Sequence, residues 1–141
     1  MSLRNIAQRS KSFLMPETRF LSIEVVLAIH HSQINVFGGL HGLRDQGLLE
    51  SAVDQAHQTF SHSNDIFQTA AQYCLSIAKN HPFLDGNKRT AAACMLTFMV
   101  LNGFEPTLSN QDLFDWTLKV AIGELSRDQL AELLLNNSST L

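Results

Sequence analysis

The segment His81-Pro82-Phe83-Leu84-Asp85-Gly86-Asn87-Lys88-Arg89 gathers a base, a carboxylate, an amide and two cations within nine residues. Histidine exchanges a proton near neutral pH, so His81 suits a general base that takes the proton of an attacking hydroxyl. Asp85 offers the hard oxygen that Mg²⁺ accepts, an ion that takes one or two carboxylates and completes its shell with phosphates and water. Gly86 lets the backbone turn tightly and approach a ligand. Asn87 is a good helix N-cap, and the free amides of the turn after it form a natural anion site. Lys88 and Arg89 fall in that same turn, where the positive end of the helix dipole disfavours cations by about 0.3–1 kcal/mol each. Stability alone would place Asp or Glu there, so two cations in succession point to an external anion that supplies the missing charge. A polyphosphate fits, because Arg89 presents a planar fork of donors and Lys88 a compact point charge that can follow a moving negative charge. Phe83 and Leu84 are expected to anchor the loop in the core. Each of these residues alone has an ordinary structural use as a cap, a dipole partner or solvated surface. Together they predict phosphoryl or nucleotidyl transfer to a hydroxyl.

The elements that must hold this loop are helical. Apolar residues Ile23, Val26, Leu27 and Ile34 recur at helical spacing after Ser22, a plausible cap, and Gly38-Gly39 ends the run. Asp45 can cap a second helix carrying Leu48, Leu49, Ala52, Val53 and Ala56, and Asp65 a third that stops at His81-Pro82. The next helix starts near Asn87 or Lys88, is apolar on nearly every face and ends at Asn102-Gly103, which predicts a place at the centre of a bundle. Ser109 to Asp112 and Ser126 to Gln129 resemble capping boxes and open two more helices. Phe114, Trp116 and Leu118 on the fifth helix are expected in the core. The fold class is all-α, a compact bundle of about six helices, with a short hairpin conceivable only in the connections at 36–44 or 58–66. Residues 1–17 form an expected N-terminal extension, followed by one domain over 18–141.

Length and charge narrow the function. A chain of 141 residues suits one core. With 45% hydrophobic and 16% charged residues, it fits neither a disordered chain nor a membrane protein. Net charge is −3, yet the first 20 residues hold four cations against Glu17, leaving −6 on the remainder. A body of that sign repels a phosphate backbone, so nucleic acid is not an expected partner. Neither is a membrane, since the uncharged, largely apolar run Thr90 to Phe104 falls short of the ~20 apolar residues a span needs. Cys74 and Cys94 lie in apolar helical stretches and are expected to be buried thiols, which fits a reducing cytoplasm. His30, His31, His41, His57 and His62 lack the spacing of a zinc site and are read as structural or surface residues. Gly38-Gly39-x-x-Gly42 reads as a turn, since no phosphate-binding glycine motif is present.

The loop closely resembles the signature of the Fic/Doc (Fido) family, His-x-Phe-x-Asp/Glu-x-Asn-Gly/Lys-Arg, carried between two central helices. Gly38-Gly39-Leu40-His41-Gly42-Leu43-Arg44-Asp45, Leu48-Leu49-Glu50-Ser51-Ala52 and Gly123-Glu124-Leu125-Ser126 resemble its death-on-curing (Doc) branch, so that the likeness covers about residues 18–136. The resemblance implies a Fic/Doc fold, His81 as base, Asp85 as Mg²⁺ ligand, and Gly86, Asn87, Lys88 and Arg89 at the phosphates of ATP. Members that transfer AMP usually carry Gly at the position of Lys88 and a second Arg at the position of Ala92. Those departures favour the Doc activity, phosphorylation of a hydroxyl on a translation elongation factor. Autoinhibited Fic proteins carry a Ser/Thr-x-x-x-Glu helix, and none of the six glutamates here has Ser or Thr four residues before it. Restraint is then expected from a separate short antitoxin whose tail folds into a groove. Three readings follow: a Doc-type toxin kinase, an adenylylating enzyme using the same loop, and a non-catalytic module that binds only an antitoxin.

Overall fold

The computed structural model describes residues 17–141. Apart from Glu17, the expected N-terminal extension lies outside the described residues. The order is α1 (Ile23–Phe37), α2 (Gln46–Ser63), α3 (Ile66–Asn80), α4 (Asn87–Leu101), β1 (Phe104–Pro106), α5 (Asn110–Ala121), α6 (Arg127–Asn136) and β2 (Ser138–Thr140).

Side-chain caps set the helix starts. Ser22 accepts from the Val25 amide, Asp45 from Leu48, Asp65 from Phe67 and Gln68, and Ser109 from Asp112. Ser126 forms a full capping box with Gln129, whereas Ser109 caps without the reciprocal bond. One start departs from expectation. Asn87 is the first helical residue rather than the cap; Gly86 stands at the cap position with φ +75°, and no side chain caps α4.

The centre is a pair of helices. Ten of the fifteen residues of α3 are buried, and it packs against α2, α4, α5 and α6. The apolar α4 lies along it and also meets α1 and α5. Tyr73, Ile77, Met95, Phe98 and Met99 fill the space between and around the two. The loop that joins them is therefore held at both ends by the most buried elements of the bundle. Cys74 and Cys94 are buried free thiols in this core, and burial pushes the Cys74 thiol up to about 12.

Three expectations need correction. The connections at 36–44 and 58–66 hold no hairpin; the sheet is instead β1 against β2, antiparallel, with Phe104 opposite Thr140 and Pro106 opposite Ser138. Three-residue strands carry too little alternation to be read in advance. On α5 the inward face is Thr117 and Val120, with the half-buried Trp116 packed against the core as expected, whereas Phe114 and Leu118 are exposed. Leu84 is 56% exposed, and Phe83, at 1%, anchors the loop together with the buried Pro82. No helix among the described residues is long and apolar enough to cross a membrane.

Candidate active site

His81 ends α3 in the left-handed conformation, φ +50°, its amide donating to the Ile77 carbonyl, and Pro82 bars any further helix. The chain then turns inward to bury Pro82 and Phe83 and outward again at Leu84. Asn87 braces this turn from the helix side: the Phe83 amide donates to Asn87 Oδ1 at 2.9 Å, and Asn87 Nδ2 donates to the Phe83 carbonyl at 3.0 Å. The amide predicted to cap the helix is thus spent on holding the loop, which leaves the first-turn amides of α4 without a side-chain acceptor.

An open depression of about 260 Å³ lies over this arrangement, lined by His81, Leu84, Asp85, Gly86, Asn87, Lys88 and Arg89. All six residues singled out in the sequence for chemistry, His81, Asp85, Gly86, Asn87, Lys88 and Arg89, meet there. Among the described residues no carboxylate forms an ion pair with Lys88 or Arg89. The Arg89 guanidinium lies 6.0 Å from the centre of the exposed Phe37 ring. Positive charge therefore stands at the positive end of a helix with no paired carboxylate, Asp85 acting on Arg89 only from beyond ion-pair distance.

Asp85 is held from two sides. The Leu40 amide donates to Oδ2 at 3.1 Å and the Gly86 amide to Oδ1 at 2.8 Å. Those two bonds, followed by the nearby charges of Arg89 and His30, keep its carboxyl below the usual carboxylate range. Each oxygen retains a lone pair, so the group fits Mg²⁺ as a single carboxylate ligand, with phosphates and water left to complete the shell. Among the described residues no set of three His, Cys, Asp or Glu side chains could hold a metal by itself.

Two supports were not legible as such. His30, on α1, is buried, stacks on Phe83 with ring centres 3.8 Å apart, and donates from Nε2 to the Asp85 carbonyl at 2.8 Å. Burial pushes it below 6.5, the bond to Asp85 opposing that shift and the charges of His41 and Arg89 adding to it. Its structural role stands as expected, but its target, 55 residues away, leaves no local signal. Arg44 is the other. Its Nε donates to the His81 carbonyl and its Nη2 to the Asn80 carbonyl. A cation just before the Asp45 cap, among glycines, was the available hint.

The Fic/DOC family model matches residues 20–99, a span that begins before α1 and ends in α4. The chain belongs to the Fic/DOC family. It is 35% identical over 118 residues to the protein named "Protein kinase doc" of Escherichia phage P1, a match that covers 82% of this chain and 93% of that relative. It is 40% identical over 72 residues to "Toxin Doc" of Mycolicibacterium smegmatis (strain ATCC 700084 / mc(2)155), covering 49% of this chain and 55% of that one. Both relatives put it on the Doc branch of the Fic/DOC family. The family match takes in the whole loop from His81 to Arg89 and also Leu40, which ties the preceding loop to Asp85.

Proposed function

We propose that this Doc-family chain is a toxin that transfers the γ-phosphate of ATP to a hydroxyl of a protein, with a translation elongation factor as target by family resemblance. The observation that carries the reading is the uncapped start of α4, bearing Lys88 and Arg89, beside the exposed ring-bearing residue His81. His81 accepts the proton of the acceptor hydroxyl as its oxygen bonds to the γ-phosphorus. The bond from that phosphorus to the β–γ bridging oxygen breaks, and ADP leaves with the electron pair. Lys88, Arg89 and the first-turn amides of α4 bind the phosphate oxygens as charge spreads over them. Asp85 would hold Mg²⁺, which would offset further phosphate charge.

Phosphoryl transfer is favoured over AMP transfer by Lys88 and Ala92. Lys88 is exposed at the site, and Ala92, 9% exposed, offers no second cation there. A short antitoxin is the expected restraint, and the cytoplasm, where elongation factors work, the expected compartment.

The test is transfer to purified elongation factor with Mg²⁺ and ATP labelled at the α- or the γ-phosphate, with His81→Ala alongside. Label from the γ-phosphate alone, lost in the variant, is expected. Label from the α-phosphate would establish adenylylation. No label, with growth inhibition on expression surviving His81→Ala, would leave only a binding module.

A further inference from the structure

The His81 ring has no hydrogen bond to any described residue, although the proposed chemistry needs it aimed at one hydroxyl. Whatever orients it must act through its backbone. That backbone is unusual, because a left-handed residue followed by proline leaves the last carbonyls of α3 without the amides that would continue the helix. Arg44 takes over two of them. Its Nε donates to the His81 carbonyl at 2.6 Å and its Nη2 to the Asn80 carbonyl at 2.8 Å. The main chain around it grips the same stretch: the amides of Arg44 and Asp45 donate to the Pro82 carbonyl at 2.7 and 3.0 Å, and the Leu84 amide donates to the Gly42 carbonyl at 3.1 Å. Asp45 caps α2, and Asn80 Nδ2 donates to the Leu48 carbonyl, so the clamp is rooted in the first turn of α2. A cation at the negative end of α3 is also favoured by the helix dipole.

We propose that Arg44 is a positioning residue that fixes the direction of the His81 ring by locking the Asn80–His81 carbonyls in the left-handed turn. This rests on His81 as the general base. Its fork is what matters, since two carbonyls on successive residues need two donors in fixed relation. Without the fork, the turn is still held at the His81 amide and at the Pro82 carbonyl, but the carbonyls of Asn80 and His81 lose the bonds that fix their direction.

The test uses the full chain as wild type, Arg44→Ala and Arg44→Lys, with two readouts. One is γ-label transfer, split into kcat and KM for ATP. The other is the ¹⁵N–¹H spectrum of the histidine rings without nucleotide. In Arg44→Ala, kcat is expected to fall about tenfold to a hundredfold, the loss typical of a reacting group displaced by an ångström or so. KM for ATP should stay within about twofold, because Arg44 bonds the carbonyls of Asn80, His81 and Pro82 and none of the residues placed at the phosphates. His81 ring signals should move or broaden while those of His57 and His62 stay, and Arg44→Lys should recover part of both effects, with a single nitrogen in place of the fork. A purely structural role would lower thermal stability and leave the ring signals and kcat of the folded protein unchanged, which would overturn the proposal. If Arg44→Ala does not fold, Arg44→Lys is read in the same two ways. If wild type transfers no label but the ring signals respond to Arg44, the positioning role stands and the kinase reading falls.

Discussion

Asp85 is held in place by two amides and still has lone pairs to offer, and glycine is what makes room for that. A Cβ on Gly39 would lie 2.5 Å from Asp85 Oδ2, at φ +120°. Gly39→Ala should therefore displace the carboxylate and raise the Mg²⁺ concentration needed for half-maximal transfer by about tenfold, the scale seen when a ligand loses its orienting partner. Gly38 supplies the control: it too has positive φ, +84°, but a Cβ there meets nothing within 4 Å. Gly38→Ala should cost about 1–2 kcal/mol of stability through backbone strain and leave the Mg²⁺ titration unmoved. The carboxylate also has a pH signature. Its folded pKa is lowered from 3.8, so the unfolded chain takes up the proton first as pH falls. The stabilisation is complete above the unfolded value and is lost as pH drops through the folded one. Asp85→Asn should accordingly show a shallower loss of stability than wild type below about pH 4, measured by denaturant unfolding at a series of pH values.

At the scale of elements, α4 trades stability for binding at its first turn. Replacing Lys88 by Glu would put a carboxylate where the dipole favours one, for a gain of about 0.3–1 kcal/mol, while setting negative charge against the phosphates. Lys88→Glu is expected to unfold at a slightly higher temperature and to lose ATP binding by about tenfold or more, read by calorimetric melting and nucleotide titration. A rise in both stability and ATP affinity would contradict an anion site at this turn. The helix starts were legible because they are local: Ser22, Asp45, Asp65, Ser109 and Ser126 each bond an amide two or three residues ahead. The start of α4 near Asn87 was legible too, but its cap was misread, because the Asn87 amide reaches backward to Phe83 instead, a choice that depends on where Phe83 is buried. The loop residues themselves announced their chemistry by type and order. Their supports did not, since His30 and Arg44 act across 55 and 37 residues and no periodicity links them to Asp85 or His81.

The bundle as a whole is closed by bonds between distant parts of the chain. The Arg19 amide donates to Asn102 Oδ1, and the Leu141 amide donates to the Gly103 carbonyl beside the β1–β2 pair. Tyr73 makes the deepest of these ties. Fully buried on α3, its hydroxyl accepts from the Leu21 amide at 3.0 Å and donates to the Leu21 carbonyl at 3.3 Å, seating the segment that leads into α1. Since α1 carries His30, that single hydroxyl secures one wall of the site from the opposite side of the core. Tyr73→Phe would strand a buried donor and acceptor and should cost about 1–3 kcal/mol. Burial raises the phenol from 10 to about 12, so between those values the unfolded chain has released a proton that the folded one keeps. Stability from this group is present below pH 10 and falls by about 1.4 kcal/mol per pH unit across that window. Wild type should therefore lose denaturant resistance between pH 10 and 12 more steeply than Tyr73→Phe, although the variant starts lower. The two curves would converge at the alkaline end. Parallel curves would mean that the phenol is not shielded from water in the folded chain, since burial is what raises it and the Leu21 bond works against that shift.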